Sequence, residues 1–211
     1  MFITFEGVEG SGKSTQIARL RQRLEAAGKS VCVTRQPGGC ELGLTLRSIL
    51  LSTKTRNLDS RAELFLYLAD RAQHVAEVIR PAQQAGQIIL CDRFADSTVA
   101  YQGYGRGLEV GTLHTLNDIA VAGAWPNCTI LLDIDAEQGL RRALARNLEA
   151  GNAVCEGRFE AEAVEFHRRV RQGYLALASL HPRRFAIVDA SKDLDAVADD
   201  IWRVVSERLE A

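Results

Sequence analysis

The stretch Gly7-Val8-Glu9-Gly10-Ser11-Gly12-Lys13-Ser14 constrains this chain more than any other. It meets the pattern G-x-x-x-x-G-K-[ST] at every fixed position. Its flanks fit as well. The β-prone run Phe2-Ile3-Thr4-Phe5-Glu6 leads in, and a helical pattern with Ile17, Leu20 and Leu24 on one face leads out. A strand, a glycine-rich turn and a helix in that order aim backbone N–H groups and a helix N-terminus at one spot, which suits phosphate oxygens. The loop through Thr15 would cradle a nucleotide, Lys13 would add a point charge for its β- and γ-phosphates, and the Ser14 hydroxyl suits a magnesium ion. A glycine-rich turn with a chance lysine accounts less well for strand, loop and helix in register.

The rest of the chain repeats the alternation. Strands are predicted at Ser30–Thr34, Gln87–Cys91, Cys128–Asp133 and Arg184–Val188, the second of these a continuous apolar run of the kind buried on both faces of a parallel sheet. Helices are predicted near Leu42–Leu51, Arg61–Ala85, Thr112–Ala122, Glu137–Glu149 and Ala161–Leu180, with a last one carrying Leu194, Val197, Ile201, Val204 and Leu209 on one stripe. Gly28 reads as a helix C-cap, Pro81 as a bend near the end of the long helix, and Gly151-Asn152-Ala153 as a break after a basic one. A polar, glycine-rich connection is expected between Asp92-Arg93 and Gly111. Five strands alternating with helices predict an α/β fold: an open, mostly parallel sheet with helices on both faces. Its crevice should lie at the carboxyl ends of the strands, where Glu9, Lys13, Arg35, Asp92 and Arg93 all fall. No repeat, low-complexity tract or composition break appears, so residues 1–211 read as a single domain.

Composition removes other classes. A net charge of −1 argues against broad nucleic-acid or membrane-surface binding, both of which need surplus Lys and Arg. The five cysteines (Cys32, Cys40, Cys91, Cys128, Cys155) are odd in number, widely spaced and without a C-x-x-C pair. They read as reduced thiols of a cytoplasmic protein, with Cys32, Cys91 and Cys128 as small hydrophobes in apolar runs. The chain starts straight into a strand, so no signal peptide is expected, and no apolar run approaches membrane-spanning length. His114, His167 and His181 show no ligand spacing, and His74 reads as packing on the long helix.

A carboxylate that closes a buried strand beside a phosphate loop is placed to hold magnesium, and Asp92 does this. Arg93 beside it can fork onto phosphate oxygens; a structural strand-end ion pair is the other account. The wider context narrows the choice. Asp92-Arg93-Phe94-Ala95-Asp96-Ser97-Thr98-Val99-Ala100-Tyr101-Gln102-Gly103 resembles the signature of thymidylate kinases. So do Thr34-Arg35-Gln36-Pro37-Gly38-Gly39, Tyr67-Leu68-Ala69-Asp70-Arg71-Ala72-Gln73-His74 and Arg158-Phe159-Glu160. The likeness runs from Phe2 to about Tyr174 with order and spacing kept.

That resemblance implies the three-layer P-loop nucleoside monophosphate kinase fold, with its five-stranded parallel sheet. It implies magnesium-assisted transfer of the ATP γ-phosphoryl group to dTMP, and a homodimer. By the same resemblance Tyr67 stacks on thymine, and Arg71, one helical turn on, reaches its carbonyl oxygen. Ser97, Thr98 and Gln102 fall at polar substrate positions, and Tyr101 packs against the sugar. Arg93, Arg35 and Arg47 would neutralise the acceptor phosphate, and Glu9 is a carboxylate near the sugar hydroxyl and the metal-bound phosphates. The phosphate loop carries no arginine, which matches family members that place their basic residues in a lid, here about residues 142–160. Arg146 and Arg158 would then be catalytic and Arg142 would serve ATP, whereas Arg141 reads as an outer-face charge.

Three departures from the family pattern stand out. Gly157 replaces the Asp common before the lid arginine, Leu148 to Glu156 looks longer than the usual lid, and Gln36 stands where glutamate is common. Another nucleotide or deoxynucleoside kinase on the same scaffold remains open on sequence grounds, as does a P-loop switch that hydrolyses slowly.

Overall fold

Two apolar runs are too continuous to have a wet face, and with the first strand they become the middle of a sheet. The computed structural model describes residues 1–55, 57–149 and 157–210, apart from the side chains of residues 146, 147 and 149. In it β1 (Phe2–Glu6), β3 (Ile88–Asp92) and β4 (Cys128–Asp133) are buried almost throughout, and β2 (Val31–Arg35) and β5 (Phe185–Asp189) are part-exposed. The order is β2-β3-β1-β4-β5, with all four pairings parallel. Side chains alternate across the sheet and feed two cores. Ile3, Phe5, Ile88 and Leu90 join one, with Ile17, Leu20, Val170 and Ile201 from helices. Phe2, Ile89 and Cys91 join the other, with Val75, Ile79 and Val121. Helices therefore cover both faces, as expected.

α1 (Lys13–Ala26) follows the phosphate loop and ends as predicted at Gly28, whose φ of +73° is open to glycine. Gly28 N–H donates to the Glu25 carbonyl at 2.9 Å and Lys29 N–H to Leu24 at 3.0 Å, the paired bonds of a Schellman stop. α2 (Glu41–Leu51) lies close to its expected range. The single long helix expected over 61–85 is instead three pieces: α3 (Ser60–His74), a π-helical stretch Val75–Ile79, and α4 (Arg80–Gln84). Pro81 supplies the reason. It has no N–H, and its ring crowds the carbonyl four residues back; the wider π turn ahead of it, with Arg80 N–H donating to the Val75 carbonyl, relieves that crowding.

The connection expected after Arg93 is largely helical, which corrects the sequence reading. α5 (Ala95–Thr98) runs into a π-helical stretch Val99–Gly105. Burial drives it: Ala95, Val99, Ala100 and Tyr101 enter the cores, and a side chain at Gly105 would meet the Phe166 ring at 2.6 Å. Then follow α6 (Val110–Val121), α7 (Ala136–Glu149), α8 (Val164–Leu180) and α9 (Leu194–Glu210). The expected break at Gly151-Asn152-Ala153, the added length before Glu156 and Cys155 lie outside the described residues. Cys40, Cys91 and Cys128 are buried free thiols, while Cys32 is only half-buried. Among the described residues no helix is long and apolar enough to cross a membrane.

Candidate active site

The phosphate loop owes its shape to small residues. Gly10 sits at φ +70°, and a Cβ there would fall 2.0 Å from the carbonyl oxygen of Gly139 in α7. Gly139 in turn presses on the loop, since its own Cβ would lie 2.5 Å from the Glu9 carbonyl oxygen. Loop and α7 are thus in backbone contact, which only glycine at both points permits. Lys13 Nζ donates to the carbonyls of Gly7 and Val8, each at 3.0 Å, and to Ser11 Oγ at 3.2 Å. Burial pulls its pKa down to about 8, helped by Arg93 and opposed by Asp92, Glu9 and Glu6.

Across the loop, Ser14 Oγ donates to Asp92 Oδ2 at 2.9 Å. A hydroxyl and a carboxylate side by side at a phosphate loop are hard oxygen donors of the kind magnesium takes, so the residues fit that ion. Arg93 leaves the strand with φ +66°, an uncommon conformation for a residue with a side chain. Its guanidinium is held from several sides. Nη1 donates to the Gly7 carbonyl and Tyr174 Oη, both at 3.0 Å, and Nη2 to Glu9 Oε1 at 3.1 Å, while the group lies 4.8 Å from the Tyr101 ring centre. Burial opposes the charge, but Tyr101, Tyr174, Glu9 and Asp92 outweigh it and keep the arginine protonated. Glu9 answers the same logic. Burial alone would raise its pKa, yet Arg93, His167 and Lys13 hold it well below the usual carboxylate range.

The second pocket hangs on α3. Arg71 is fully buried and nearly every donor is used: Nε to Gln36 Oε1 at 3.0 Å, Nη1 to Thr98 Oγ1 at 2.8 Å and Asn117 Oδ1 at 2.7 Å, Nη2 to the Phe94 carbonyl at 3.1 Å. Asp70 accepts from Gly38 N–H at 3.1 Å, and His74 Nε2 meets Thr34 Oγ1 at 2.7 Å. One turn of helix therefore fixes the whole loop Thr34–Gly38. Burial, reinforced by Arg71, drives the His74 pKa to about 4, so it is neutral at pH 7, a packing residue as its sequence context suggested.

A single cleft of about 840 Å³ joins the two halves. Glu9, Gly10, Gly12, Lys13, Ser14 and Thr15 line one end, with Asp92 and Arg93 between. Arg35, Arg47, Tyr67, Arg71, Ser97, Thr98, Tyr101 and Gln102 line the other. The lid residues behave differently. Arg158, expected beside the transferring phosphate, is turned away from the cleft. Its Nη2 is 2.6 Å from Glu63 Oε2, its Nε donates to the Leu50 carbonyl at 2.5 Å, and it stacks 4.6 Å from the Phe159 ring centre. Glu63 is 1% exposed, and a carboxylate so buried needs a cation beside it. Arg142 donates to the Ala190 carbonyl at 3.0 Å and does not line the cleft, and the Arg146 side chain lies outside the described residues.

Several residues of the network escaped the sequence reading. Glu6 accepts from Phe94 N–H at 2.7 Å, Ser97 Oγ at 2.6 Å and Tyr174 Oη at 2.8 Å. Its position, an acid closing an apolar strand, is the signal that picked out Asp92. Tyr174 and His167 sit in an amphipathic helix, where nothing in the pattern separates them from core filling.

Comparison with known proteins agrees with this geometry. The profile of the thymidylate kinase family matches residues 5–201. A thymidylate kinase of Solidesulfovibrio magneticus is 66% identical over 209 residues, covering 99% of this chain and 100% of its own. One from Nitratidesulfovibrio vulgaris is 58% identical over 211 residues, 100% of this chain and 98% of its own. The crystal structure of thymidylate kinase from Ehrlichia chaffeensis superposes with a TM-score of 0.77 at 34% identity, covering 98% of each chain.

Proposed function

The chain belongs to the thymidylate kinase family, and on that footing we propose that it transfers the γ-phosphoryl group of ATP to dTMP, giving ADP and dTDP. An oxygen of the dTMP phosphate attacks the γ-phosphorus, and the bond to the β–γ bridging oxygen breaks. The attacking oxygen is already anionic, so no strong base is required. Positioning and charge neutralisation carry the acceleration. Lys13 and the loop N–H groups hold the ATP phosphates. Arg93, with Arg35 and Arg47, holds the acceptor phosphate in line. Tyr67 stacks on the base, and Arg71 offers its remaining donor to a thymine carbonyl. Thr98 and Gln102 complete the polar edge of the base pocket, and Tyr101 packs on the sugar. Ser14 and Asp92 would hold magnesium, which neutralises phosphate charge when bound. Arg146 keeps a catalytic role in this reading, Arg142 is left out of it because it is tied to the Ala190 carbonyl away from the cleft, and Arg158 acts as an anchor for the root of the lid.

The observation that carries most weight is the continuity of the cleft, which sets Arg93 between Lys13 and Arg71. The protein acts in the cytoplasm as a homodimer in this reading, supported by an exposed apolar stripe on the outer side of α3. The test is ADP release from ATP with a panel of acceptors: dTMP, dUMP, UMP, dCMP, AMP and thymidine. Only dTMP, with dUMP far behind, should stimulate turnover. Arg93→Ala should lower kcat on the order of 10³-fold with the fold intact. Equal stimulation by AMP, or near-normal kcat in that variant, would reject the assignment.

A further inference from the structure

We infer that His167 of α8 is a positioning residue for this reaction: it fixes the Glu9 carboxylate from behind, so that Glu9 presents Arg93 and Tyr101 to the acceptor nucleotide in one orientation. The inference rests on the kinase reading above. His167 is 1% exposed and does not line the cleft, so whatever it does passes through another residue.

The Glu9 carboxylate is tied at both oxygens. Oε1 accepts from Tyr101 Oη at 2.6 Å and from Arg93 Nη2 at 3.1 Å. Oε2 meets His167 Nδ1 at 3.2 Å. The charged and titratable groups that face Glu9 come from five elements: Lys13 of α1, Tyr67 of α3, Arg93 after β3, Tyr101 of the π-helical stretch and His167 of α8. An ionised carboxylate only accepts, so Nδ1 must carry its proton to make this contact. Nε2 is buried with no hydrogen-bond partner among the described residues, and a bare ring nitrogen is the form least harmed by that. Remove the imidazole donor and Glu9 is held by one oxygen alone. The carboxylate can then swing about its last bond and take the Arg93 fork and the Tyr101 hydroxyl with it. His167 also ties α8, the helix after the lid, to the phosphate loop. The Phe166 ring braces it edge-on, 5.5 Å between centres.

Two amide variants separate the donor from mere bulk. Asn at position 167 can place its side-chain nitrogen near that of Nδ1, whereas Gln places it near Nε2, away from Glu9. H167N should keep kcat/KM for dTMP within about threefold, and H167Q should lose about tenfold, the scale of one hydrogen bond to a charged group. KM for ATP should stay within about twofold in both. In an E9Q background H167Q should add nothing further, because the two residues act as one unit. The inference is overturned if H167Q matches wild type, if H167N is as impaired as H167Q, or if the E9Q and H167Q losses multiply. A wild-type protein with no dTMP-dependent turnover would instead sink the kinase reading. In that event the imidazole ¹⁵N signals of His167 still decide the contact: they should shift in E9Q, and unchanged signals overturn it.

Discussion

At the end of β1, Glu6 has both carboxyl oxygens occupied by the Phe94 amide and the hydroxyls of Ser97 and Tyr174, yet among the described residues it forms no ion pair. Burial, followed by the nearby charge of Asp96, pushes its pKa up to about 7, with Ser97, Arg93 and Tyr174 opposing. The folded value lies above the unfolded one of 4.5, so folding favours the protonated form. Stability from this group is complete below pH 4.5 and is lost as pH rises through 7. Glu6→Gln keeps the shape, and both hydroxyls can reverse to accept from the amide. The stability difference between variant and wild type should therefore move in favour of the variant by on the order of 1–3 kcal/mol between pH 5 and pH 8.5. Urea midpoints at the two pH values measure it, and a difference that stays flat would show that Glu6 is not the titrating group. Arg93 illustrates how far single residues are legible. Its identity and place beside Asp92 pointed to phosphate, but its left-handed backbone and its tie to Tyr174 appear only once α8 packs on the loop.

The elements divide along the same line. Apolar runs and helical stripes disclosed all five strands and most helices, because hydrophobic period reports directly on which face is buried. The π-helical stretches at Val75–Ile79 and Val99–Gly105 were not legible, since a register shift answers to tertiary neighbours and to Pro81 rather than to local period. Nor was the clasp around Glu63. Glu63 in the first turn of α3 accepts from Gln102 Nε2 at 2.8 Å and pairs with Arg158 at 2.6 Å, while Arg106 bridges Glu63 and Glu162. From sequence, an acid in a first helical turn reads as a dipole partner. Here it joins Gln102 in the cleft wall to Arg158, in the segment that leads into α8. Glu63→Ala leaves the Arg158 charge buried without its anion, which should destabilise by on the order of 3–5 kcal/mol and lower Tm by about 10 °C. Glu63→Leu combined with Arg158→Met should regain most of that loss. A double variant no more stable than Glu63→Ala would place the cost elsewhere than in the ion pair.

For the whole molecule, α3 is the member that two faces share. Inward it presents Tyr67 and Arg71 to the cleft and Asp70 and His74 to the loop before α2, while Glu63 meets Arg158. Outward, Phe65 is 59% exposed, and Ala69, Ala72 and Ala76 continue an exposed apolar stripe at helical spacing. An apolar stripe on one helix can meet its own copy across a two-fold axis, which is the commonest closed symmetry. In the homodimer proposed above, each base pocket would then be braced from behind by the partner subunit. Phe65→Glu places two like charges near that axis and should yield monomer by sedimentation velocity, with little change in the stability of the isolated chain because the site is exposed. Loosening of α3 should raise KM for dTMP more than KM for ATP, since Tyr67 and Arg71 ride on α3 while Lys13 and Ser14 ride on α1. A wild-type protein that sediments as a monomer at tens of micromolar would remove the interface, and an equal rise in both KM values would remove the coupling.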